Sequence, residues 1–116
     1  MKTDRELLEL AAKAACYVVW SGRGHQEDML FMRLKKPDPT GKCSGREWNP
    51  LSDDGDALRL AAVLDIDVFV NSAYGVVQAE SICGDYLGES VLTEDRADYY
   101  RHAILRCAAA IGEAMQ

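Results

Sequence analysis

The sequence predicts an α+β domain with three helices and a five-stranded, mainly antiparallel sheet, in the order αββαβββα. Three observations point there. Apolar residues recur at helical spacing in three segments, near 4–15, 53–64 and 93–115. Between them lie short β-branched or alternating runs at 16–20, 29–34, 66–70, 75–80 and 85–92. These runs follow one another through short connections instead of alternating singly with helices, which favours antiparallel hairpins over βαβ crossovers.

Each element has a local cause. Thr3-x-x-Glu6 is a capping-box pattern ahead of Leu7, Leu10, Ala11 and Ala14, and predicts an amphipathic helix over 4–15. Cys16 to Trp20 is a continuous apolar run, read as a buried strand. Residues 21–28 read as a hairpin loop, and Met29 to Leu34 returns with Leu30, Met32 and Leu34 on one face. Lys35 to Glu47 holds two prolines and two glycines and is irregular through most of its length.

Pro50 then ends what precedes it, Ser52 is placed to cap the second helix, and Leu51 to act as its staple. Asp53, Asp54 and Asp56 sit where the helix dipole favours negative charge. Within that helix Leu60, Ala61 and Leu64 are expected to be buried. Leu58 is expected to pack on loop residues such as Trp48, or on a partner subunit. Ile66, Val68 and Val70 form one strand, Gly75 to Glu80 a second with Val77 and Ala79 inward, and Asp85 to Leu92 a third interrupted by Gly88. Thr93 is placed to cap the last helix, with Tyr100, Ile104, Cys107 or Ala108, Ile111 and Met115 as its apolar stripe.

Composition sets the outer bounds. A chain of 116 residues, 48% hydrophobic and 28% charged, is one domain spanning 1–116. The net charge of −6 argues against nonspecific nucleic-acid binding, which needs a basic footprint. It leaves open a DNA mimic, although most of the acids have a reason to lie at helix starts. No apolar run approaches the roughly 20 residues that span a bilayer, and the start lacks a signal-peptide core. The expected location is cytoplasmic, with no membrane partner.

Three stretches resemble a known family. They are Trp48-Asn49-Pro50-Leu51-Ser52-Asp53-Asp54-Gly55-Asp56-Ala57-Leu58-Arg59-Leu60-Ala61, the opening Thr3 to Ala15, and the ending Arg101 to Gly112. Together they are similar to the phage ABA-sandwich domain, a family of small bacteriophage proteins named for α/β/α layering, and they cover about half the chain. The resemblance implies a phage or prophage origin in a bacterial host cell and an α/β/α sandwich-like fold. It brings no chemistry, no catalytic residues and no cofactor.

The residues themselves give little support to catalysis. Four cysteines at 16, 43, 83 and 107 show no metal-ligand spacing, and no metal or cofactor is expected. Cys16 and Cys107 read as small core residues, whereas Cys43 lies in a loop near Lys42 and Arg46. The aspartates lack the regular spacing of a calcium loop. His102 reads as a helix residue, and His25 has no nucleophile placed beside it. A phosphate-binding glycine loop and a dinucleotide fingerprint are absent from the sequence.

The better candidates are the loops at 21–28 and 35–47. The second carries Lys35, Lys36, Lys42 and Arg46 against Asp38 and Glu47, a local excess of positive charge in an acidic chain. Loops on a rigid sheet commonly carry recognition. Arg23, Lys42 and Arg46 could contact phosphates, and His25 lies in the glycine-flanked first loop. Trp48, with Trp20 and Tyr74, offers an aromatic surface. The expected site is thus Arg23, His25, Lys42, Arg46 and Trp48. The expected function is non-enzymatic: a phage accessory protein that binds and inhibits a host defence protein. The alternatives are an oligomeric sponge for a nucleotide-derived immune signal and a small enzyme without a recognisable motif. The expected partner is therefore a host or phage protein, or a nucleotide-derived small molecule, and homo-oligomerisation is compatible with either.

Overall fold

A computed structural model of the chain describes residues 3–21, 30–34, 46–71, 73, 75–81, 87–91 and 95–115. In chain order they form α1 (Asp4–Ala14), β1 (Tyr17–Ser21), β2 (Leu30–Leu34), β3 (Arg46–Glu47), α2 (Asp54–Leu64), β4 (Ile66–Asn71), β5 (Val76–Ser81), β6 (Leu87–Val91) and α3 (Arg96–Ala114). The fold is α+β with three helices and antiparallel strand pairing, as expected. The strands are divided, however, between two sheets rather than joined in one. Sheet A has the order β1-β2-β3 and sheet B the order β4-β5-β6. Each sheet has its own helix: β1 contacts α1, and all three strands of sheet B contact α3. The short strand β3 comes from the end of the segment expected to be irregular, where Arg46 pairs with Met32 and Glu47 with Phe31.

The helices begin as their caps dictate, with two shifts from expectation. At α1 Thr3 is the cap, as the pattern predicts: its Oγ1 accepts from the Glu6 backbone N–H at 3.2 Å, and its hydroxyl donates to Glu6 Oε1 at 3.4 Å. At α2 the cap is Asp53, whose carboxylate accepts from Asp56 N–H at 3.2 Å, while Ser52 is exposed. At α3 the cap is Asp95, accepting from Asp98 N–H at 3.2 Å; Thr93 lies outside the described residues. In both cases an aspartate later in the run captures the cap, because its side chain sits three residues before a free N–H and adds charge to the favourable dipole end.

The core lies between the helices and the inner faces of the two sheets. Leu8, Ala11, Ala12, Ala15, Leu30, Met32, Trp48, Leu60, Ile66, Val77, Ala79, Tyr99, Ala103, Leu105 and Cys107 form one buried cluster. Small residues let the layers approach. A Cβ at Gly112 would overlap the Leu10 backbone, and one at Gly88 would overlap the backbone of Ala103 and Cys107. Gly88, expected only as an interruption, is therefore the point where β6 meets α3.

Several assignments of face differ from expectation. Cys16 adopts a left-handed conformation (φ 60°) where the chain reverses from α1 into β1, which turns its thiol outward instead of into the core. The strand β1 is half-buried to exposed, not fully buried. On α3 the buried tyrosine is Tyr99, in line with Ala103 and Cys107, whereas Tyr100 and Met115 are exposed. On α2 the expected burial of Leu60 and Ala61 holds and Leu64 packs partly against the core, but Leu58 is 70% exposed and does not pack on Trp48.

Candidate functional site

The segment Trp48 to Leu60 is a closed hydrogen-bonded knot. The Trp48 backbone N–H donates to Leu30 O at 2.8 Å, continuing the β3 pairing. Asn49 then makes an Asx turn, its Oδ1 accepting from Leu51 N–H at 3.1 Å. Its backbone carbonyl accepts from Ser52 and Asp53 at 3.1 and 2.8 Å. Asp56 is buried; one carboxylate oxygen accepts from Asn49 N–H at 3.0 Å and the other from Arg59 at 3.0 Å. Two adjacent aspartates have distinct tasks here. Asp53 caps α2, and Asp54 pairs with Arg101 of α3, whose Nε also donates to Leu51 O at 2.7 Å.

Arg101 is thus the strap that ties the start of α2 to α3, and sequence spacing alone offered no sign of it. Its i,i+3 pairing with Asp98 stays within α3 and gives no indication of Asp54 or Leu51. The carboxylates that head α2 have partners within the fold. Among the described residues, no three His, Cys, Asp or Glu side chains are grouped to hold a metal ion.

The sequence-predicted site residues separate. Arg23, His25 and Lys42 lie outside the described residues, as does Tyr74. The Arg46 backbone lies in β3. Trp48 is 1% exposed and packs edge-on against Tyr17, ring centroids 5.9 Å apart, so it serves the core and offers no surface for a partner. The two loops also leave sheet A at opposite ends. Residues 22–29 join Ser21 to Leu30, and residues 35–45 join Leu34 to Arg46. Those ends of β2 are separated by four residue steps, roughly 13 Å of extended strand.

The described residues place two features on the surface. The first is Trp20, 40% exposed, stacked on its cross-strand partner Phe31 with centroids 6.3 Å apart and planes at 18°. The alternation of β1 and β2 puts this pair on the outer face of sheet A, since Leu30 and Met32 point inward. Glu47 lies beside Phe31 in register and is exposed. The second is a groove of about 300 Å³ between α2 and β4, lined by Leu58, Ala61, Ala62, Asp65, Ile66 and Asp67. The outer face of sheet B adds Asp67, Phe69, Leu87 and Glu89, all exposed, with Gln78 donating to Glu89 at 2.7 Å.

The buried Cys107 is not set up as a nucleophile. Burial, aided by the nearby Glu80 charge, pushes the Cys107 thiol up to about 11, so it stays protonated at neutral pH. His102 Nδ1 lies 2.8 Å from the Asp98 carbonyl and 3.4 Å from its carboxylate, an arrangement internal to one helix. No helix among the described residues is long and apolar enough to cross a membrane. Compared with family models, curated proteins and solved structures, the chain matches none.

Proposed function

We propose that the protein acts by binding a partner protein through the outer face of the β1–β2 hairpin, with Trp20 and Phe31 at its centre. The observation that carries this reading is the exposed Trp20 stacked on half-buried Phe31. Aromatic side chains are large and rigid, lose little conformational freedom on docking, and are enriched where protein surfaces meet. The flanking loop 22–29, which carries Arg23 and His25, leaves the sheet one residue beyond Trp20. That proximity supports a contact surface built from the aromatic pair and the charged loop together. The resemblance to the phage ABA-sandwich family supports a phage or prophage accessory role, and the proposed partner is a host defence protein that the contact inhibits.

The test is affinity capture from bacterial lysate with the native chain and with Trp20→Ala, followed by mass spectrometry of bound proteins and of extracted small molecules. The expected result is a protein retained by the native chain and lost from the variant, which stays folded by circular dichroism at the capture temperature. Identical capture by both chains would overturn the reading. A nucleotide released from the purified chain, and lost in the variant, would replace it with the nucleotide-sponge reading, for which the same exposed indole offers a stacking surface.

A further inference from the structure

We propose that a second copy of this chain docks at the free edge of β4, extending sheet B across a two-fold axis that passes through Val68. β4 is paired on one side with β5, and among the described residues no strand occupies its other side. That edge, Ile66 to Asn71, carries neither lysine nor proline, the usual means of blocking strand addition. It runs beside the groove lined by Leu58, Ala61 and Ala62 of α2. Exposed apolar side chains flank it: Leu58, at 70%, lines the groove, and Val70 at 44% and Phe69 at 41% lie on the strand itself.

The choice of a second copy comes from the strand's own sequence. Read antiparallel to itself about Val68, the segment Ile66-Asp67-Val68-Phe69-Val70 sets Ile66 against Val70 and Asp67 against Phe69 of the other copy. The only charge on the segment then faces an aromatic ring, and no carboxylate meets a carboxylate. A shift to an axis through Asp67 would place two carboxylates in direct opposition, in a chain already carrying −6. In the proposed register the six strands form one sheet, and Leu58 and Ala62 of each copy close over the joint from the helix side.

The test is sedimentation of the full chain across the micromolar range, with Phe69 and Leu58 as probes because both are exposed and their replacement spares the core. The native chain is expected to dimerise. Phe69→Glu sets two new carboxylates against Asp67 and should weaken the dimer, while Phe69→Lys creates two opposite-charge pairs and should tighten it. Two cross-strand pairs per dimer correspond to a change of roughly 2- to 30-fold in dissociation constant for each variant. Leu58→Glu should also weaken the dimer. Phe69→Arg must follow Phe69→Lys, and circular dichroism checks that each variant is folded. A native chain that stays monomeric throughout overturns the proposal. So does equal weakening by Phe69→Glu and Phe69→Lys, which would indicate an unspecific apolar patch or a Phe69-centred register. An unchanged dimer in Leu58→Glu would also overturn it, by removing α2 from the contact.

Discussion

Trp48 and Trp20 lie on neighbouring parts of sheet A and have opposite fates. Trp48 continues the β3 pairing to Leu30 and turns inward, where it is among the largest fully buried side chains. Trp20 pairs with Phe31 one position along β2, and the alternation of the strand turns it outward. The sequence around Trp48 is the most conspicuous in the chain, and its Asn49, Asp53, Asp54 and Asp56 side chains all bond within the fold. The sequence around Trp20 is an ordinary apolar run, yet it leaves an indole in solvent. The lesson is that a dense motif here marks a demanding fold, and the surface available to a partner lies where the motif is weakest.

The comparison can be broken most sharply by truncating both indoles. Trp48→Ala should destabilise the fold by about 3–5 kcal/mol, as expected for removing a fully enclosed aromatic. Trp20→Ala should change stability by roughly 0.5–1.5 kcal/mol, the worth of one aromatic pair. Denaturant titration of the two variants measures the difference. Similar losses in both would mean that sheet A is packed on both faces and that Trp20 is structural.

Within the knot, Asp56 is the test of whether polar groups or the indole hold it closed. Asp56→Ala removes the acceptor of both Asn49 N–H and the Arg59 guanidinium. The expected loss is roughly 2–4 kcal/mol, because a part-buried backbone donor is left unsatisfied, while Arg59 is half exposed and recovers water. A loss below about 1 kcal/mol would assign the knot's stability to Trp48 and Leu60 packing alone.

The two described cysteines repeat the contrast of inward and outward. Cys16 is exposed at the left-handed turn after α1, and Cys107 is buried where α3 meets sheet B. The Cys107 thiol holds its proton up to about 11, against 9.0 for an ordinary thiol. The folded chain therefore binds that proton more tightly than the unfolded chain. The stabilisation is complete below pH 9 and is lost as pH rises from about 9 to about 11, by up to roughly 2–3 kcal/mol. Thermal unfolding across that window should show a steeper loss for the native chain than for Cys107→Ala. Parallel pH profiles would show that the thiol titrates alike in both states.

Much of the fold was legible because the residues that specify it act locally. Thr3 caps the Glu6 N–H within one turn, and Val77 and Ala79 face inward by strand alternation alone. The division into two sheets was not legible, since hairpin signals say which strands are neighbours in sequence but not which helix each sheet will rest on. The burial of Trp48 and the exposure of Trp20 depend on register with β2, a contact between distant residues. Arg101 was invisible for the same reason: its partners Asp54 and Leu51 are about fifty positions away. As for the site, Trp20 was read as an aromatic available to stack, yet the sequence had no means of preferring it over Trp48.

The smallest effect distinguishes neighbours in the knot itself. Ser52 and Asp53 are both good capping residues, and the sequence alone favours the first because it precedes a full run of aspartates. In the structure the Asp53 carboxylate accepts from Asp56 N–H, and Ser52 is exposed with its backbone N–H bonded to Asn49 O. A cap is lost only if its side chain carries the bond. Asp53→Ala should therefore cost about 1 kcal/mol, and Ser52→Ala less than about 0.5 kcal/mol. Salt should reduce the Asp53 effect in part, because the carboxylate also interacts with the α2 dipole, whereas a hydroxyl cap would be indifferent to it. If the two substitutions exchange magnitudes in urea titration, the cap is Ser52 and the helix starts one residue earlier, with Asp54 at its second position instead of its first.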